Sequence, residues 1–150
     1  MGAACFLVLP ALLLGSCMLM SDPRVATSGS SATAGQARDD FRAMLDDTQA
    51  LIGGDWVDQD DPTPRACVVQ WGLAGETYAS LRLSATTPDT RLLSWVQREW
   101  ERLGYDVERT EIGPASQLTG RTSIGGELVI LRVSDRGVTL QGESACRPAE

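Results

Sequence analysis

Hydrophobic and polar positions divide this chain into three regions: an uncharged apolar start, a polar stretch without a period, and a long remainder in which helical and strand periods follow one another. Residues 2–20 carry no charge, and residues 3–14 form an apolar run. From residue 18 to about 35 the chain is rich in Ser, Thr, Ala and Gly, with no apolar repeat; this composition predicts a flexible tether. Ala37, Phe41, Met44, Leu45, Thr48 and Leu51 then recur at helical spacing. They predict a first helix over Ala34–Ile52, ended by Gly53-Gly54. Residues 66–71 and 77–84 are strand-like, and the second alternates with Ala79, Leu81 and Leu83 on one face. With residues 72–75 as the turn, the two read as a hairpin.

A second helix is expected with Thr87 as N-cap, Pro88 as its first residue and Asp89 at its positive end. Leu92, Leu93, Val96, Trp100 and Leu103 form its apolar stripe, and Gly104 closes it. Four strand-like segments follow, over 105–112, 117–124, 127–133 and 138–143. Gly113-Pro114, Gly125-Gly126 and Asp135-Arg136-Gly137 separate them. The order α-β-β-α-β-β-β-β, with hairpin-length links, predicts an α+β two-layer sandwich, a mainly antiparallel sheet with both helices on one face. No repeat or second domain is visible, so residues 35–150 are expected to form a single domain.

The apolar start ends in Leu14-Gly15-Ser16-Cys17. This resembles the lipobox of the bacterial lipoprotein signal family, Leu-(Ala/Ser/Gly)-(Gly/Ala/Ser)-Cys. The resemblance implies a signal peptide over residues 1–16, a diacylglyceryl thioether on the Cys17 sulfur, and a mature chain held at the extracytoplasmic face of the cell membrane. Each buried lipid CH₂ contributes about 0.8 kcal/mol, so two or three chains anchor a protein where one does not. Residues 17–34 then form a lipidated cysteine and tether with a mean reach on the order of 20–25 Å. The segment Met1-Gly2-Ala3-Ala4-Cys5 lacks the Lys or Arg that signal peptides carry. An uncleaved anchor and plain secretion are the alternative readings of this start. Phe6 stands where N-myristoylation needs Ser or Thr.

Charge and composition narrow the chemistry. The net charge of −7 opposes binding to phosphate backbones and anionic headgroups, so no nucleic-acid partner is expected. The chain has no His, Lys or Asn, which removes imidazole chemistry, Ser-Lys catalysis, Schiff bases and Walker-type phosphate loops. Of four cysteines, Cys5 leaves with the signal and Cys17 is lipidated. Cys67 and Cys146 remain as one expected disulfide outside the cytoplasm. Asp55-Trp56-Val57-Asp58-Gln59-Asp60-Asp61 lacks the order of a calcium loop and reads as a solvated acidic turn. No metal or cofactor is expected.

Trp56-Val57-Asp58-Gln59-Asp60-Asp61-Pro62, then Cys67, then Val138-Thr139-Leu140-Gln141-Gly142-Glu143-Ser144-Ala145-Cys146, resembles small actinobacterial lipoproteins of the LppA-like kind. The resemblance spans most of the mature chain. It implies location and fold, and no catalytic residue. The expected function is a non-catalytic binding module in the cell envelope, whose partners are the membrane, through the anchor, and an envelope protein or polymer. Trp95, at the edge of the second helix's stripe, and Trp56 are the candidate binding residues. The alternatives are a carrier of small apolar ligands and an envelope hydrolase. The hydrolase would need converging carboxylates, for which Asp58, Glu76 and Glu108 are nominal candidates.

Overall fold

Helix α1 (Ala34–Ile52) starts at a capping box: Gln36 N–H donates to Thr33 Oγ1 at 3.3 Å, and Thr33 N–H donates to Gln36 Oε1 at 3.0 Å. It ends at Gly53, whose φ of 75° suits glycine and whose N–H donates to Gln49 O at 2.8 Å. The computed structural model describes residues 32–89 and 91–149. The signal, Cys17 and nearly all of the tether lie outside the described residues. The stripe expected on α1 is buried except for Leu51, which is 40% exposed. At about 100° per residue Ile52 falls on the stripe instead, and Ile52 packs against the core.

The strands in chain order are β1 (Val57–Asp58), β2 (Arg65–Val68), β3 (Ala74–Thr77) and β4 (Ala79–Ser84), then β5 (Asp106–Ile112), β6 (Ala115–Arg121), β7 (Leu128–Ser134) and β8 (Gly137–Glu143). Helix α2 (Arg91–Arg102) lies between β4 and β5. Among the described residues it begins at Arg91, and Pro88 and Asp89 stand outside it. Asp89, not Thr87, supplies the first acceptor, with Arg91 N–H donating to Asp89 Oδ1 at 2.9 Å. The helix ends at Arg102, so Leu103 leaves the stripe and is 44% exposed.

Six strands pair antiparallel in the order β1-β4-β8-β7-β6-β5, and β2 with β3 forms a separate two-stranded sheet. The architecture is the expected α+β sandwich. The expected hairpin is drawn differently: β3 begins inside the expected turn, at Ala74, and pairs with β2, and residues 79–84 of the expected second strand form β4 in the large sheet. Ser144 meets Tyr78 at the junction. Tyr78 N–H donates to Ser144 Oγ at 3.0 Å, and Ser144 N–H donates to Tyr78 O at 3.0 Å, so Tyr78 belongs to neither ladder.

Both helices lie on one face of the large sheet. Phe41, Leu45, Leu93, Val96 and Trp100 fill a core with Leu118, Val129, Leu131 and Leu140. Two strand glycines let the aromatic rings approach. A Cβ at Gly142 would lie 2.8 Å from Phe41 Cζ, and one at Gly120 would lie 3.2 Å from Trp100 Cε3.

Candidate interaction surface

Alternation decides which side chains meet the helices and which do not. On β4 the outcome inverts ordinary patterning. Ser80, Arg82 and Ser84 are buried on the helix side, and Ala79, Leu81 and Leu83, the apolar face seen in the sequence, point to the opposite side and are half-buried. Paired registers align Leu81 with Gln141 and Ile130, and Ala79 with Glu143 and Leu128. Leu83 continues this surface to Val57, which is 58% exposed at the sheet edge. The helix-free face thus carries two apolar rows, Ala79, Leu81 and Leu83 on β4 and Leu128 and Ile130 on β7, with Thr139, Gln141 and Glu143 of β8 between them.

One end of this face forms a shallow cleft of about 440 Å³, lined by Leu81, Leu128 and Ile130 with Gln141 and Glu143 of β8 standing between the β4 and β7 residues. Gln59 and Arg65, which is 3.2 Å from Glu143, also line it. Arg65 also lies 3.5 Å from Asp61, and Asp61 N-caps its own turn by accepting Thr63 N–H at 2.9 Å. That hydrogen bond holds the Asp61 carboxyl below its ordinary range against the opposing effect of burial, with Arg65 adding to the lowering. Apolar, amide and charged groups of both signs, interleaved in its lining, suit a chain segment that offers amide or hydroxyl groups alongside apolar ones.

The acidic segment is solvated only in part: Asp55 and Asp58 are exposed, and Asp60 is drawn in against Arg82. Arg82, 3% exposed in its side chain, lies beneath α1, where its Nη2 is 3.0 Å from Asp60 Oδ2 and its Nη1 donates to Gln49 Oε1 at 2.5 Å and to Asp46 Oδ1. Asp58 lies 3.7 Å from the same guanidinium, and Arg42 is 3.4 Å from Asp60. Burial opposes the Arg82 charge, but the hydrogen bonds and charges of Asp60 and Asp46 outweigh it and hold its pKa above the ordinary value. The carboxylates around 58–60 therefore neutralise a buried cation and fix β1 and its loop against the sheet. An arginine at an inward strand position was the available sequence signal, and alternation alone did not reveal which face was inward.

A second polar group lies at the other end of the core. Tyr105 OH donates to Glu127 Oε1. Burial, then the Glu127 charge, pushes the Tyr105 hydroxyl far above its ordinary value. Burial likewise raises Glu127 against the lowering effects of the Tyr105 and Ala145 hydrogen bonds and of Arg147.

The residues singled out in the sequence fall in different places. Cys67 and Cys146 are bonded, with Cα atoms 6.1 Å apart, joining β2 to the segment after β8. Trp56 is turned inward against the core, and its indole N–H donates to Gly53 O at 3.1 Å. Trp95 is 55% exposed on α2. The structure does not bring them together as a site. Trp71, expected on a strand, sits instead in a turn between β2 and β3 and is 94% exposed. Asp58 and Glu108 lie on the two edge strands of the six-stranded sheet, roughly 24 Å apart at about 4.8 Å per strand. Paired carboxylates of sugar hydrolysis stand about 5–9.5 Å apart. Glu76 is on the separate small sheet. Among the described residues no group of three Cys, Asp or Glu could hold a metal ion, and no helix is long and apolar enough to cross a membrane.

No protein-family model matches the chain, and no curated protein matches it in sequence. Among solved structures it is similar to a DUF4853 family protein from Actinomyces odontolyticus, with 16% identity and a TM-score of 0.58 over 78% of this chain and 67% of that one. At that identity the likeness is one of fold.

Proposed function

We propose that this chain is an exported, lipid-anchored, non-catalytic binding module of the cell envelope, similar in kind to small actinobacterial lipoproteins. The helix-free sheet face is its partner surface. One observation carries the reading: Leu81, Leu128 and Ile130, interleaved with Gln141 and Glu143, line an open cleft on the sheet face that the helices leave uncovered. Antiparallel sheets that face water on one side are usually polar there. The Leu14-Gly15-Ser16-Cys17 segment supports the location, and the Cys67–Cys146 bond fits an oxidising compartment. The partner is an envelope protein or polymer that lays an extended segment across the cleft.

Two measurements in the native cell test this. Cys17→Ser is expected to move the protein from the membrane fraction to the medium or the unprocessed pool. A photoreactive residue replacing Gln141, in the cleft, is expected to give a discrete adduct that Ile130→Arg abolishes. The same residue replacing Arg136, in the β7–β8 turn, is expected to give none. Membrane retention of Cys17→Ser would overturn the anchor. Equal labelling from positions 141 and 136 would overturn the binding face.

A further inference from the structure

A second exposed apolar feature lies outside that cleft. β2 and β3 project as a hairpin whose tip, Val68-Val69-Gln70-Trp71-Gly72-Leu73-Ala74-Gly75, carries no charge. Val68 is 72% exposed, Leu73 63% and Trp71 94%. Trp71 has a φ of 69°, a left-handed conformation that a bulky residue adopts only where its surroundings impose it. The surroundings here are a closed tip, where Val69 N–H donates to Leu73 O at 2.9 Å and Gly72 N–H to Val69 O at 3.3 Å.

The base of the hairpin is fixed to the body from both strands. Cys67 on β2 is bonded to Cys146. On β3, Glu76 exchanges both backbone hydrogen bonds with Arg147, at 2.8 and 3.1 Å, and Thr77 Oγ1 donates to Ser144 O at 2.6 Å. The base beneath an uncharged loop with an outward Trp is therefore tied to the body through both strands.

The same end of the molecule receives the tether. Ala34 N–H, at the first residue of α1, donates to Pro148 O at 3.0 Å, one residue beyond the Arg147 that pairs with the hairpin. α1 also packs against β3. At about 3.3 Å per residue Trp71 stands roughly 10–15 Å beyond this strap. A flexible chain as long as residues 17–33 reaches on the order of 20–25 Å, enough for a lipidated Cys17 to bring this end of the molecule to a bilayer.

We propose that the Val68–Trp71–Leu73 tip is a second membrane contact, inserting into the interfacial layer of the bilayer that carries the Cys17 anchor. The location rests on the anchor proposed above. A bilayer fits this tip better than a protein groove does. The tip is small and convex, its one large side chain is Trp, which favours the membrane–water interface, and it brings no charge to pair with a partner. With a net charge of −7, attraction to anionic lipid contributes nothing, and insertion rests on apolar burial alone.

The test uses residues 17–150, which contain every described residue, oxidised so that Cys17 is the one free thiol. Cys17 is coupled to maleimide lipid in phosphatidylcholine vesicles with brominated acyl chains, so the outcome does not depend on natural lipidation. Tryptophan fluorescence is expected to be quenched in these vesicles, and the quenching to be lost in Trp71→Ala and retained in Trp95→Ala. Untethered Cys17→Ser protein is expected to partition into phosphatidylcholine vesicles weakly, about tenfold less again with Trp71→Ala, and no worse at high salt. Absence of bromolipid quenching, or quenching that survives Trp71→Ala, would overturn the proposal; an adduct to a protein from position 71 in cells, without vesicle quenching, would overturn it in favour of a protein groove. Failure of Cys17 lipidation in cells would sink the anchor and leave the vesicle result intact.

Discussion

The indole N–H of Trp100 donates to Oγ1 of Thr48 at 3.0 Å, and the same hydroxyl donates to Met44 O at 2.9 Å, so one threonine joins α2 to the backbone of α1 inside the core. Trp100 is 0% exposed, and water cannot replace Thr48 without opening the helix–sheet interface. Thr48→Val keeps the shape and removes the acceptor. It is expected to cost about 1–3 kcal/mol, the penalty for a buried donor left unsatisfied. Urea unfolding checks this, and an unchanged midpoint would mean that the indole finds another acceptor.

Arg82 is the most consequential buried charge. Arg82→Met leaves Asp60, 14% exposed in its side chain, without its closest cation. The expected loss is about 3 kcal/mol, at the low end for breaking a buried pair, because Asp46 and Asp58 stay largely hydrated at 66% and 56% exposure. Arg82→Met with Asp60→Leu is expected to recover part of it. A double variant as unstable as the sum of the single variants would show that Asp60 and Arg82 act independently.

The Cys67–Cys146 bond closes a sequence separation of 79. Cys67→Ala with Cys146→Ala is expected to lower stability by about 4–5 kcal/mol in the chain-entropy view. Hydrogen exchange gives the local readout: the amides of Glu76 and Arg147, which tie the hairpin to the body, should lose protection before those of Leu131 and Leu140. Uniform loss across the molecule would show that the bond stabilises the whole fold and not the hairpin in particular.

Glu127 sets a pH dependence. Burial, opposed by the Tyr105 hydrogen bond, raises its folded pKa above 4.5. The native state then holds the proton more tightly than the unfolded chain. Below pH 4.5 both are protonated and nothing is lost, and as pH rises from 4.5 through the folded pKa, stability falls. Glu127→Gln keeps an acceptor for Tyr105 and cannot ionise. Its melting temperature relative to the parent is therefore expected to rise between about pH 4 and about pH 8. A constant difference over that interval would contradict the assignment.

Local periodicity made much of this fold legible. The helical stripe, with Gly53-Gly54 after it, located α1, and glycine-bounded alternation located the last four strands, β6 two to three residues earlier than expected, because both signals are written in neighbours along the chain. The alternation over residues 77–84 was also correct, yet two facts lay outside it. It contained no sign that Ser144 would meet it at Tyr78, nor that its polar face, with Arg82, would be the buried one.

The sequence by itself determined two helices on a mainly antiparallel sheet and the one cysteine pair within the folded region, since spacing, caps and a count of thiols suffice for these. Only the tertiary structure decided which face of β4 meets the helices, why Asp58 and Asp60 gather round a guanidinium, and how Trp71 comes to stand outside while Trp100 is enclosed. Each of these depends on residues tens of positions apart. Burial, and with it the cost of leaving a charge or an indole N–H unpaired, exists only after those residues have met.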